Sequence, residues 1–98
     1  MSRRLVRVSG DFFDQLDRQL PAERGPNGEP SASDFVGIDL PVVIERFASG
    51  FDELPEAVPG VSTARVIVGT GKVVEFFVVY GLLLDDDAIE LIGVDIDS

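Results

Sequence analysis

Arg65, Gly69 and Lys72 form an Arg-x-x-x-Gly-x-x-Lys pattern across a strand-like run and its turn, and they are the residues best suited by type and spacing to act on an anion. A guanidinium and an ammonium can each hold a phosphate through charge-assisted hydrogen bonds. The plainer account is that Arg65 pairs with a neighbouring carboxylate and Lys72 is a solvated turn residue, where an exposed pair contributes little. Carboxylates make up the other reactive set. Asp85-Asp86-Asp87 with Glu90 offers hard oxygen ligands, but the alternating spacing and central glycine of a calcium loop are missing. A solvated turn that discourages edge-to-edge pairing is the better reading there. Asp95 and Asp97 alternate with Val94 and Ile96, so they project from one face of a strand as an acid/base pair would, with no companion group to identify a substrate. Gly69-Thr70-Gly71-Lys72 is a hairpin turn and not a phosphate loop. Val66 stands where the first glycine belongs, and Val73 where a magnesium-binding hydroxyl belongs. Glu45 and Arg46 read as a surface charge pair.

The 98 residues include no cysteine and no histidine, which excludes a disulfide framework, a thiolate nucleophile, a Cys/His zinc site and imidazole acid/base chemistry. No cofactor and no metal is expected. Eighteen acidic against eight basic residues give a net charge of -10, which repels phosphate backbones and favours basic partners, so nonspecific nucleic-acid binding is not expected. The charge is uneven. Arg3, Arg4 and Arg7 crowd the start, nothing basic follows Lys72, and Asp85, Asp86, Asp87, Glu90, Asp95 and Asp97 crowd the end, so the two ends should partly neutralise each other if they meet. Three arginines precede Ser9-Gly10-Asp11 where a signal peptide would have an apolar segment, and no apolar run approaches a membrane span. A cytoplasmic protein with no membrane partner is expected.

The length suits one domain, 1–98, with one core. Leu5 to Val8 predicts a first strand with Val6 and Val8 on its buried side. Ser9 to Asp11 caps a helix whose Phe12, Phe13, Leu16 and Leu20 make an apolar core stripe, ended by Pro21. Residues 21–33 lack periodicity and are rich in Pro, Gly, Asn and Ser; they predict a long, mobile connecting loop with no recognisable site. A second helical region, capped by Ser33 or Asp34, carries Phe35, Val36, Leu40, Val43, Ile44 and Phe47 up to Gly50, and Pro41 should kink it or divide it in two. Phe51 to Gly60 is a helical turn and connector that Phe51 and Leu54 staple to the core. Ala64 to Val68 is a strand. Gly69-Thr70-Gly71 is a tight turn, and Val73 to Leu84 is a strand apolar at both parities and so covered on both faces, with Tyr80 in the core and its hydroxyl at an edge. The last strand, Ala88 to Ile96, changes phase near Gly93, where a bulge is expected. The fold class is therefore α+β, with two N-terminal helical segments packed on a mainly antiparallel four-stranded sheet in the order β-α-α-β-β-β.

That element order, with Arg65 heading the first meander strand and Gly69-x-x-Lys72 in its turn, resembles the RelE/ParE superfamily of small bacterial toxins of type II toxin-antitoxin systems. The resemblance covers nearly the whole chain as a pattern of elements. It implies a sheet that cradles the helices, and a cognate antitoxin as partner. RelE-like members of the family cut messenger RNA on the ribosome with basic residues; ParE-like members poison DNA gyrase. Carried over by position, Arg65 matches the first meander arginine and Lys72 the turn arginine. The departure is at the end. RNA-cutting relatives bring a basic residue from the last strand and often a terminal aromatic, where this chain has Asp95, Asp97 and Ser98. Carboxylates there oppose the negative charge that builds on phosphorus in the transition state. The expectation is a RelE/ParE-like toxin or toxin-derived protein without RelE-type RNA cleavage. The alternative is a noncatalytic, immunity-like acidic module that binds a protein with a basic surface.

Overall fold

A computed structural model describes residues 3–97. Strands β1 (Val6–Val8), β2 (Ala64–Gly69), β3 (Phe76–Leu83) and β4 (Ile89–Asp97) form one sheet of order β1-β4-β3-β2. β1 runs parallel to β4, and the meander pairs are antiparallel. The class is α+β, as the sequence predicts. Helix α1 (Gly10–Gln19) and a second helical region pack on one face of the sheet, where Phe12, Leu16, Phe35, Phe47, Ile67, Val79, Ile89 and Leu91 close the core.

Ser9 caps α1 by accepting a 3.1 Å bond from the Phe12 N–H. Phe12, Leu16 and Leu20 are buried along its stripe, but Phe13 is 39% exposed and meets Phe12 edge-on. The expectation of a buried Phe pair is corrected. The next residue on a helix lies about 100° round from its neighbour, off the narrow stripe that α1 buries. The connector runs from Pro21 to Pro30, and its ends are tied: Ala32 N–H donates to the Pro21 carbonyl at 2.8 Å, and Arg24 forks onto Asp34 at 2.8 and 3.1 Å.

The cap of the second region is Ser31, not Ser33 or Asp34. Its hydroxyl accepts from Asp34 N–H at 3.1 Å while the Asp34 carboxylate accepts from Ser31 N–H at 3.0 Å, a reciprocal capping box. From there helix runs without a break through α2 (Ala32–Asp34), a π-helical turn (Phe35–Asp39) and α3 (Leu40–Gly50). Pro41 therefore does not divide it. The proline lacks an N–H and crowds the carbonyl four residues back. The preceding turn widens, with Leu40 N–H bonding the Phe35 carbonyl five residues back, and the helix passes the ring.

The predicted strand over Val73 to Leu84 begins only at Phe76. The amides of Lys72, Val73 and Val74 bond the Asp39 side chain, so those residues form a loop instead of a ladder. Nor is the strand covered on both faces. Phe77 lies against Phe35 on the helix side, while Phe76 is 41% exposed and Val78, Tyr80 and Leu82 are half-buried on the other side, where no helix of the described residues packs. Both parities are apolar, yet the described residues form one helical layer. The bulge falls where the phase change predicts it: Tyr80 pairs with Gly93 and Gly81 with Leu91, leaving Ile92 without a partner.

β1 is short and covers β4 only over Ile89 to Leu91. Beyond it α1 continues along the same edge, and two glutamines replace the missing strand. Gln15 donates to the Ile92 carbonyl and accepts from Val94 N–H, both at 3.1 Å; Gln19 donates to the Val94 carbonyl at 2.7 Å and accepts from Ile96 N–H at 2.6 Å. Four residues of helix rise about 6 Å and two of strand about 6.8 Å, so the amides fall nearly in register with the ladder.

The charged ends do meet. Arg4 pairs with Asp87 at 3.2 Å, and Arg7 with Asp86 at 2.8 Å, while Arg3 forks onto Glu45. Glu45 thus pairs with Arg3, in place of the expected pair with Arg46.

Candidate functional site

Register decides where Arg65 points. It pairs with Gly81, on the same face as Ile67 and Val79, so its side chain rises on the helix side. There the guanidinium donates to the carbonyls of Leu54 (2.7 Å), Ser62 (2.8 Å) and Asp52 (3.3 Å) and lies over the Phe51 ring at 5.6 Å. Arg4 lies over the same ring, also at 5.6 Å. Carbonyls take up Nε and Nη1 and an aromatic ring covers the guanidinium plane, so a phosphate gripped through the fork would have to compete with these contacts. Neither the phosphate reading nor the expected carboxylate pair describes Arg65: it fastens the 51–62 connector to β2.

Lys72 serves through its backbone. Its N–H donates to Asp39 Oδ1 at 2.7 Å, and Val73 N–H and Val74 N–H reach Oδ2 at 2.9 and 3.4 Å. Asp39 is 5% exposed, and these amides satisfy a carboxylate that burial would otherwise penalise. A Cβ on Gly71 would overlap that carboxylate, so the turn needs glycine there. The Lys72 side chain lines a shallow cavity of about 250 Å³ with Arg24, Asp34 and Ile38. It stands past the far end of β2 from Arg65. Four strand residues alone, from Arg65 to Gly69, span about 14 Å, so the two candidates do not converge on one substrate.

Asp39 gives a signal that the sequence reading missed. It stands four residues after Phe35 and four before Val43, on the stripe that must be buried, so a carboxylate there needs built partners. Gln15 and Gln19 carry a fainter one, two amides one turn apart on the flank of a core helix.

The open face of the sheet gathers the remaining candidates. Leu82, Tyr80, Val78 and Phe76 of β3 lie beside Ala64, Val66 and Val68 of β2; on the other side lie Glu90, Asp95 and Asp97 of β4, opposite Leu82, Val78 and Phe76. Val68 is 52% and Ile92 37% exposed. Asp95 and Asp97 share this face, as their alternation predicts. Tyr80 is not a core residue: it lies on this face and donates to Asp95 Oδ2 at 3.3 Å. Burial, and after it the Asp95 charge, raises its phenol above the ordinary tyrosine range, so it stays protonated and is a poor base. A groove of about 300 Å³ crosses the face between Val58, Ala64, Tyr80 and Ile92, over Gly93. Arg7 also projects here and is engaged by Asp86. Ser98, where the resemblance would call for a terminal aromatic, lies outside the described residues.

Asp85, Asp86 and Asp87 are all exposed in the turn between β3 and β4, the solvated turn expected, and two of the three carboxylates also pair with Arg7 and Arg4. Among the described residues no group of His, Cys, Asp or Glu side chains is placed to hold a metal ion, and no helix is long and apolar enough to cross a membrane. Compared with family models, with curated proteins and with solved structures, the chain matches none.

Proposed function

We propose that this chain is a RelE/ParE-like, toxin-derived protein of a type II toxin-antitoxin pair that works by binding another protein and does not cut RNA. The observation that carries the second half is the placement of charge. Arg65 is engaged by three backbone carbonyls on the helix face, and the open face carries Glu90, Asp95 and Asp97. Phosphoryl transfer without a metal needs donors aimed at the developing negative charge, and carboxylates there raise the barrier. The first half is supported by the element order and the Arg65/Gly69/Lys72 pattern.

A ribosome-dependent cleavage assay tests the reading directly. Wild type and Arg65→Ala should both leave ribosome-bound messenger RNA intact, while Arg65→Ala lowers the melting temperature. Cleavage by wild type that Arg65→Ala abolishes without unfolding would overturn it. The acidic, immunity-like reading draws on the same open face. A small antitoxin gene beside this one favours the toxin-derived reading, and a large effector gene favours the other.

A further inference from the structure

On the open face, charge and apolarity are sorted into columns. β2 and β3 present Val66, Val68, Val78, Tyr80 and Phe76, and β4 presents Glu90, Asp95 and Asp97 along one flank. An exposed apolar strip of this kind marks an interaction surface more often than bare solvent contact. Strand addition does not suit this sheet. Gln15 and Gln19 occupy the outer edge of β4, and Pro55 and Ala57 bond the outer edge of β2 at Val66 and Ala64. A second copy offers the β4 carboxylates little in return, since Arg7, which projects on this face, is already engaged by Asp86.

We propose that this face is the docking surface for a basic amphipathic helix of another protein, with its apolar side over β2 and β3 and its lysines or arginines over the β4 carboxylates. The inference rests on reading the chain as a binding protein, and it names the partner's chemistry and the face that receives it. The eight residues of β3 span about 24 Å, the length of a helix of about 16 residues. One large apolar side chain of that helix enters the groove between Val58, Tyr80 and Ile92, over Gly93. The flanking carboxylates set its direction and speed its arrival.

The test uses the full chain, isotope-labelled for NMR, and two synthetic 16-residue helices that share one leucine stripe. One carries lysines along the flank and the other glutamates. The lysine peptide should shift the resonances of Val66, Val68, Val78, Tyr80 and Ile92, and its binding should weaken with added salt, because screening suppresses attraction between exposed charges beyond about 8 Å at physiological ionic strength and at shorter range as salt rises. Reversing the flank with Asp95→Lys and Asp97→Lys, both at exposed positions, should weaken the lysine peptide about tenfold and strengthen the glutamate one. Equal binding of the two peptides, no binding of either, shifts confined to the outer side of α1, which exposes Asp11, Asp14 and Asp17, or a free protein that sediments as a dimer through this face would each overturn the inference. The RNA-cleavage assay is independent of all four outcomes, so failure of the docking face leaves the noncatalytic reading standing.

Discussion

At the residue scale, Asp39 and Tyr80 show how burial and partners fix what one side chain can do. The Asp39 carboxylate joins the π-helical turn to the loop after β2 through the amides of residues 72–74, and Gly71 leaves it room. Asp39→Ala strands those amides in a buried place, at a cost on the order of 1–3 kcal/mol for each one left unpaired. Gly71→Ala forces the loop off the carboxylate and should destabilise in the same direction. Urea unfolding midpoints check both; a midpoint unchanged by either substitution would show that the cradle is not a structural tie. Tyr80 is the one tyrosine of a chain without tryptophan, so ultraviolet absorbance reports its ionisation alone. It should titrate above the usual value of about 10. Because burial is the larger cause and Asp95 the next, Asp95→Asn should lower the value only in part. A raised pKa means that this group's contribution to stability is complete below about pH 10 and is lost as pH rises through the folded value. A Tyr80 titration that matches free tyrosine contradicts the placement of its ring.

At the scale of elements, the junction of β1 and α1 is where this fold departs from a plain sheet with helices on it. A strand that ends after three residues leaves the rest of β4 with bare edge groups, and such an edge invites pairing with another chain. The amides of Gln15 and Gln19 supply two donors and two acceptors in ladder spacing, a match that a shorter or purely accepting side chain cannot make. The double substitution Gln15→Leu/Gln19→Leu should therefore destabilise by about 1–3 kcal/mol, near 1 kcal/mol or less per lost bond at a partly wetted edge. It should also produce concentration-dependent self-association. Sedimentation checks the second effect, and a variant that stays monomeric at high concentration would mean that α1 shields the edge by bulk alone.

For the whole molecule, a charge of -10 is distributed so that the arginines near the start meet the acidic residues near the end and α3, leaving the open face acidic. The Arg24 pair ties the connector to α2 in the same way. The Arg24 guanidinium, followed by the Ser31 N–H, holds the Asp34 carboxyl well below the usual carboxylate range, and Arg7 lowers that of Asp86. A depressed folded pKa gives stability that is present above the unfolded value, near 4 for aspartate, and is lost as pH falls toward the folded one. The stability gap between wild type and Arg24→Ala should accordingly be widest above about pH 5 and narrow toward about pH 2. Denaturant midpoints at the two ends of that range measure it. A gap of equal size at both would assign the Arg24 contribution to packing of its stem.

Local pattern alone determined much of this protein. Ser9 and Pro21 bound α1, Gly50 ends α3, Phe51 and Leu54 staple the connector, and the phase change across Leu91 to Val94 forces a bulge, because capping, proline geometry and strand alternation act over a few residues. What Arg65 does was decided only by the tertiary structure. A strand residue's chemistry depends on the face it takes, and register put the guanidinium under Phe51 among carbonyls instead of on the open face. The extent of β3 was likewise settled from outside its own sequence, since Asp39, more than thirty residues earlier, claims the amides that Val73 and Val74 would have given to a ladder. Apolarity at both parities of β3 was legible, but whether a second layer covers it depends on how many helices the chain supplies. One layer leaves Val78, Tyr80 and Phe76 on an open face beside Asp95 and Asp97, a juxtaposition that pairing across β3 and β4 creates and neither segment contains alone.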